Sequence, residues 1–456
     1  MALVNDLAAF VVSARYEQLS EAARAQAKIR ILDALGCAIA ALDADPIQKI
    51  AGQNEDFGGN PLCTLIGGGR NAPDRAAFYN SALVRFLDFN DSYLASGETC
   101  HPSDNLGAVM AACEYAGGSG KDLLTALAVA YQVQCRLSDV APVRAKGFDH
   151  TTQGAYAVAA GVAKALHLDQ EKTANAIAIS GTANNALRVT RTGALSNWKG
   201  LAYPNTAFAA THAAFLAMRG ITGPVEVFEG NKGFMDAIAG RFTLDWSRED
   251  LEKITQTVVK RFNAEIHSQA TVEGVLELKQ EQHFNPADIL HIKVETFDVA
   301  YNIIGGGEEG EKFTVRTKEE ADHSLPYIVA VALLDGQVLP AQYLPERIAA
   351  VDVQALLRKV EVRPLPEFSR LFPDEMPCRI TIMMQDGSVH SKVKRDYEGF
   401  RTRPMQWETA VSKFTELTQG YISTAEQIRI EDMVKELENL TVGELLRVLG
   451  NIIIPS

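Results

Sequence analysis

Five short polar segments hold the residues that could do chemistry. Residues 87–105 (LDFNDSYLASGETCHPSDN) crowd Asp88, Asn90, Asp91, Ser92, His101, Ser103, Asp104 and Asn105 behind a long apolar stretch. A carboxylate near His101 could set its tautomer and keep it able to exchange a proton near neutral pH. The plainer reading is a capped helix–loop–helix. Residues 146–153 (KGFDHTTQ) put His150 at the start of an Ala-rich helix, where the ring or main-chain N–H groups could meet an anion, or where they simply cap the helix. Residues 184–200 (NNALRVTRTGALSNWKG) supply Arg188, Arg191 and Lys199. Guanidinium forks match carboxylates and a desolvated lysine can give or take a proton; a solvated basic loop is the alternative. Residues 262–269 (FNAEIHSQ) hold Glu265, His267 and Gln269, and residues 320–327 (EADHSLPY) hold His323 and Tyr327 at a helix start.

The other five histidines, His167, His212, His283, His291 and His390, lie in ordinary helix, strand or loop contexts and read as structural. Familiar cofactor motifs fail on inspection. The run GGSGK (117–121) lacks the first glycine of a phosphate loop, because Tyr115 stands there, and Asp122 follows the lysine. The run GGGEEG (305–310) fits G-x-G-x-x-G by letter, but Glu308 and Glu309 would face a pyrophosphate and no Ala-rich helix follows. No H-E-x-x-H, G-x-S-x-G, zinc spacing or cysteine triplet is present. What remains is chemistry by side-chain acids and bases, with no metal and no cofactor, and five clusters that together suit an anion site.

The chain has 456 residues, 47% hydrophobic and 22% charged, which is globular composition with material for two or three domains. Net charge is -13 and no run of Lys and Arg forms a basic stripe, which argues against a nucleic-acid partner. An anionic substrate would need local cations to enter so acidic a surface. No apolar run is long enough to span a bilayer, and residues 1–10 carry Asn5 and Asp6 but no basic residue, unlike a secretory signal. Six cysteines without C-x-x-C pairs read as reduced, mostly buried thiols. Together these predict a cytoplasmic protein that does not bind membranes.

The elements that must position the clusters change in character along the chain. To about residue 240, apolar residues recur at three and four, which predicts helices over 19–42, 73–89, 122–137, 151–166, 170–180 and 203–218. Asp169 is a good cap for one of them, and Ser20 with Ala23 gives only half a capping box. After residue 288, alternation and β-branched residues predict strands over 289–297 and 359–364 and a hairpin over 379–393 turning at Asp386-Gly387, with a helix over 322–334 among them. Residues 408–449 read as helical again. The predicted fold is mainly α with an α+β part: a large helical domain (1–268 and 400–456) and a smaller α+β domain (269–399) inserted before the C-terminal helices.

At these residues the chain resembles the MmgE/PrpD family, which includes 2-methylcitrate dehydratases, cis-aconitate decarboxylases and an iminodisuccinate epimerase. The likeness runs over nearly the whole chain: ILDALGCAIAAL (31–42), LDFND with HPSDN, WKG, EIHSQ, ADHSLPY with a following ALLDG, and Pro404-Met405 ahead of Lys413-Phe414. The resemblance implies a helical domain and an α+β domain with the active site in the cleft, a cofactor-independent homodimer, a small tricarboxylate substrate and a role in propionate catabolism. By motif match it places active-site positions on Asp88, Ser92, His101, His150, Lys199, His267 and Tyr327. Ser92 stands where Thr is common, and the stretch from Asp91 to His101 differs in length from that of the decarboxylases.

These residues are compatible with removal of water from a citrate-like 2-hydroxy tricarboxylate. The proton lost lies α to a carboxylate, so a base must stand close and the developing charge must be stabilised. His101, oriented by Asp88, is expected to move that proton, and His150 or His267 to protonate the departing hydroxyl. Arg188, Arg191 and Lys199 are expected to neutralise carboxylates, with Asp91, Ser92, His323 and Tyr327 as further substrate contacts. A decarboxylase or an epimerase could use the same set, and a helical binding protein without chemistry is the alternative of another class.

Overall fold

Alanine-rich sequence with apolar residues on a helical period folds into helices that can approach closely, and this is how the first of two units is built. In a computed structural model, which describes residues 2–193 and 195–453, the first unit comprises Met1–Thr190, Gly200–Val258 and Met405–Ser456, and the second Arg191–Lys199 and Val259–Pro404. Residue 1, Ala194 of the basic loop and residues 454–456 lie outside the described residues.

The first unit carries α1 (Glu21–Ile39), α2 (Pro73–Phe86), α3 (Leu106–Ala116), α4 (Gly120–Val140), α5 (Thr151–Ala165), α6 (Gln170–Ala183) and α7 (Trp198–Met218), whose first two residues belong to the second unit. Between α2 and α3 lies a short antiparallel hairpin, β1 (Tyr93–Ala95) and β2 (Glu98–Cys100). Helix starts follow local chemistry. Ser20 caps α1 by accepting from Ala23 N–H, and Asp169 caps α6 by accepting from Lys172 N–H. The glycine-rich GGSGK run is the start of α4: Ser119 and Asp122 cap it reciprocally, which explains the acidic residue that spoils a phosphate loop there. Close packing needs glycine at two places. A Cβ at Gly161 would stand 2.9 Å from the Ala130 Cβ of α4, and one at Gly154 would strike the Tyr203 ring at 2.5 Å. Tyr203 of α7 therefore lies against the first turns of α5.

The second unit contains α8 (Gln269–Gln282), β3 (Ile289–Thr296), α9 (Leu325–Asp335), β4 (Val360–Pro364), β5 (Cys378–Met384) and β6 (Val389–Lys394). The strands form one sheet in the order β4-β3-β5-β6, with β3–β4 parallel and the other two pairings antiparallel. The predicted helix over 322–334 begins three residues later. A short turn of helix, Lys318–Ala321, ends before Asp322, and α9 starts anew behind Ser324, whose side chain accepts from Tyr327 N–H. Ser324 is extended, and Pro326, which has no N–H to donate, suits the first turn of the new helix. Asp322 and His323 therefore sit in a bend between two helices.

The chain then returns to the first unit through α10 (Trp407–Thr418), α11 (Thr424–Lys435) and α12 (Val442–Leu449). Helix α10 packs on α1 where Gly36 presents no side chain: a Cβ there would stand 3.3 Å from the Phe414 ring. The fold is mainly α with an α+β part, as the change of pattern predicts. All six cysteines are buried. Among the described residues no helix is long and apolar enough to cross a membrane.

Candidate active site

In the first unit, the end of α2 builds a buried polar loop. Arg85, in its last turn, binds Asp88 Oδ1 at 2.5 Å and lies 3.5 Å from Asp104 Oδ2. Asp88 has a left-handed backbone (φ +53), which an aspartate tolerates better than most residues and which turns the chain out of the helix. Asn90 donates to Ser103 Oγ (2.8 Å) and Asp104 Oδ1 (2.7 Å). Asp91 is fully buried, accepts from Tyr131 Oη (2.7 Å) and Ser103 N–H (3.0 Å), and has Arg30 at 3.8 Å. Each of its oxygens has a partner within the protein, so Asp91 anchors the loop.

The β1–β2 hairpin sets His101 opposite Ser92, because its register pairs Tyr93 with Cys100. His101 Nδ1 lies 2.8 Å from the Asp91 carbonyl oxygen and 3.0 Å from Ser92 Oγ. A carbonyl only accepts, which assigns the proton to Nδ1 and makes Nε2 the basic atom of the neutral ring. The group orienting Nδ1 is thus main chain, where sequence suggested the Asp88 carboxylate. His150 Nδ1 lies 3.2 Å from Asp149 Oδ1, and Asp149 is itself held by Thr151 N–H at 3.1 Å. The two imidazoles meet edge to face with centroids 5.4 Å apart. Tyr203 stacks on His150 at 6.1 Å, its hydroxyl bonded to Asn105 and Gln134 at 3.0 Å each. Arg188 donates its main-chain N–H to Gly147 (2.9 Å). Its charge also lies near Glu98: burial pushes that carboxyl up, and the Val143 N–H and Arg188 partly offset the push.

The second unit gathers a different set. Lys199, 3% exposed, places Nζ 2.9 Å from Asp322 Oδ1 and 3.0 Å from His323 Nδ1. His323 Nδ1 is 2.6 Å from the same Asp322 oxygen, and Lys318 takes the other at 2.8 Å. Burial disfavours a charged Asp322, but Lys199, Lys318 and His323 outweigh it and hold the carboxyl well below the usual range. Arg191 donates to the Lys199 carbonyl at 2.8 Å. Glu265 binds the His267 ring at Nδ1 and its main-chain N–H, both at 2.7 Å, and gives its own N–H to the Asp322 carbonyl at 3.2 Å. The His267 ring packs on Phe297 and Phe372, and its buried Nε2 has no hydrogen-bond partner among the described residues.

The structure thus brings His101, His150 and Ser92 into one cluster, and Lys199, Arg191, His323 and His267 into another, while Asp88 is held by Arg85. Tyr327 joins neither. Its ring is fully buried beside Tyr343 and its hydroxyl donates to the Gln342 carbonyl. Tyr327→Phe is therefore expected to leave kcat and KM unchanged while lowering stability by about 1 kcal/mol, read from urea unfolding. Sequence reading missed Arg85, Asp149, Lys260 and Lys312. Lys260 is 1% exposed and helps hold Glu265 charged. Lys312 follows the dismissed GGGEEG run; Ser324 Oγ donates to its carbonyl at 2.6 Å, and burial lowers its ammonium although Glu309 and Glu265 oppose this.

Glu265 makes an acid-stability prediction. Burial disfavours its charge, yet His267, His323 and Lys260 bring its carboxyl from 4.5 to about 2. A carboxyl depressed in the folded state adds stability above its unfolded value and loses it as pH falls toward the folded value. Unfolding free energy should therefore drop by about 2–3 kcal/mol between pH 4.5 and 2 through this group. Chemical denaturation at several pH values should show a shallower slope in Glu265→Gln; an unchanged slope would rule the group out as the cause.

Two domain models match the chain, the MmgE/PrpD N-terminal domain over residues 5–247 and the MmgE/PrpD C-terminal domain over residues 262–439. Similar proteins include the 2-methylcitrate dehydratase of Salmonella typhi, 28% identical over 97% of this chain and 96% of that protein. The mitochondrial 2-methylcitrate dehydratase of Yarrowia lipolytica is 28% identical over 88% of this chain and 80% of its own length. The cis-aconitate decarboxylase of Mus musculus is 25% identical over 97% and 90% respectively. With both domain models matched in order along nearly its whole length, the chain belongs to the MmgE/PrpD family.

Proposed function

We propose that this protein is a lyase of the hydro-lyase kind that removes water from 2-methylcitrate or a closely related citrate-like tricarboxylate, giving a cis-aconitate-type alkene. The observation that carries the reading is the pair of imidazoles, His101 and His150, 5.4 Å apart and differently partnered. His101 Nδ1 is held by a neutral carbonyl, so Nε2 is the basic atom of the neutral ring. His150 faces the Asp149 carboxylate, which suits a protonated ring. Two rings this close are best occupied by one proton-accepting and one proton-donating member.

The reaction then balances simply. His101 Nε2 takes the proton from the carbon α to a carboxylate; the electron pair forms the C=C bond; the C–O bond breaks; and His150 protonates the leaving hydroxide to water. Lys199, Arg191 and Arg188 are assigned to substrate carboxylates, with Ser92 and His323 as polar contacts. His267, oriented by Glu265, is assigned to proton transfer as a second acid. Asp88, locked to Arg85, fixes the loop that carries Ser92. The full-length likeness to proteins named 2-methylcitrate dehydratase supports this substrate class. We further read the protein as a cytoplasmic homodimer, a state that light scattering on the purified chain tests directly.

The experiment is to mix purified, chelator-treated protein with 2-methylcitrate, citrate and cis-aconitate in turn, following ultraviolet absorbance and proton NMR. Alkene appearing from methylcitrate or citrate is the expected outcome. Itaconate and CO2 from cis-aconitate would replace dehydration by decarboxylation, the reaction named for the murine relative. No change in any of the three would overturn the assignment and direct attention to imines of amino dicarboxylates.

A further inference from the structure

Lys413 lies on α10, far in sequence from the histidine cluster, and is fully buried. Its Nζ sits 2.6 Å from Asp33 Oδ1 of α1, donates to the Phe89 carbonyl at 2.8 Å, and stands 3.7 Å from the centroid of the Phe89 ring. Phe89 is the residue between Asp88, whose left-handed backbone turns the chain, and the Asn90–Ser92 segment whose Asp91 carbonyl fixes the His101 tautomer.

We propose that Lys413 and Asp33 are positioning residues for the proton-transfer loop: the buried ammonium grips the Phe89 carbonyl, and the carboxylate holds the ammonium there. A buried ion pair seldom stabilises a fold more than an apolar pair of like volume, because both ions are stripped of water. Burial raises the Asp33 carboxyl, and Lys413 only partly offsets this, which marks the charge as costly where it sits. What an apolar pair could not supply is a donor at the Phe89 carbonyl. The rest of the loop is held from other directions: Ser92 exchanges main-chain hydrogen bonds of 2.8 Å with Val258, and Asp91 is gripped by Tyr131 and Ser103. Arg85 clamps the Asp88 side chain at the loop's start, and Lys413 ties the main-chain carbonyl one residue on. Without it the peptide at 89 is released to rotate, the Asp91 carbonyl two residues on shifts, and His101 loses the partner that sets Nε2 as base. The inference rests on the proposed role of His101.

The test compares Lys413→Met/Asp33→Leu with Asp33→Asn and the parent. The double variant is expected to match the parent in urea unfolding while kcat falls at least tenfold and KM stays near its parent value. Asp33→Asn, which retains an oxygen facing Lys413, should keep most of the activity. An activity-independent readout is the 15N signal of the His101 ring, which should report a mixture of tautomers in the double variant and one tautomer in the parent. A double variant that fails to fold makes the pair a requirement of the fold and overturns the proposal. So does one that folds with parental kcat and an unchanged His101 signal. His101→Ala separates the two readings: if it leaves turnover intact, the site assignment fails; if it abolishes turnover while the double variant does not, only the Lys413 proposal fails.

Discussion

Replacing His101 with Ala is expected to cut kcat by about 10²–10⁴-fold, the usual worth of a positioned acid or base. The fold should survive the change. The ring is 8% exposed, and its partners the Asp91 carbonyl and the Ser92 hydroxyl can be re-satisfied by water entering the space the imidazole leaves. Urea unfolding within about 1 kcal/mol of the parent together with a collapse in turnover is the signature of a chemical role. Normal turnover in a folded variant would remove His101 from the mechanism. The companion His150→Ala should cost a similar factor if the rings act as acid and base, and the double variant little more than either alone, because residues that act as one unit are not additive.

Asp322→Ala is expected to be the most destabilising single change in the second unit, by about 3–5 kcal/mol in urea unfolding. The carboxylate is 1% exposed and is the common partner of Lys199, Lys318 and His323, so its removal leaves buried positive charge without compensation. Lys199→Met on the Asp322→Ala background should recover part of the loss by deleting one of the stranded ions. If Asp322→Ala unfolds at the parent's urea concentration, the charges are not held by this residue and the reading of the cluster is wrong. The sign with pH is the same as for Glu265. The depressed Asp322 carboxyl lends stability above its ordinary range, and the chain gives it up as the solution becomes acid.

What the sequence made legible was local. Helices over residues 151–166 and 203–218, the strands near 289 and 360 and the hairpin at Asp386-Gly387 follow from periodicity and turn chemistry, and each polar segment announced itself by composition. Cooperation between distant segments left no such trace. Lys199 and Asp322 are 123 residues apart, and nothing near either specifies the other. Arg85 looked like the end of an amphipathic helix and proved to be the clamp on Asp88 and Asp104. Tyr327 stood in a polar motif, yet the helix that begins at Leu325 turns its ring into the core. The Asp91 carbonyl that orients His101 is a main-chain atom, and sequence patterns carry no mark for those.

The β6 strand has a consequence outside catalysis. It is one of the two edge strands of its sheet, and its valines point outward, with Val389 55% and Val393 52% exposed. Lys392 and Lys394 share the inner face with Ile380 and Cys378 and reach Glu273, Glu277 and Glu281 of α8. An unpaired, valine-bearing edge invites strands from other molecules to add on, as in fibril growth. Here each would-be neighbour would have to cover inward-pointing lysines already committed to their glutamates. The ion ladder along β6 is thus the kind of feature that discourages a further strand from adding at this edge of the sheet.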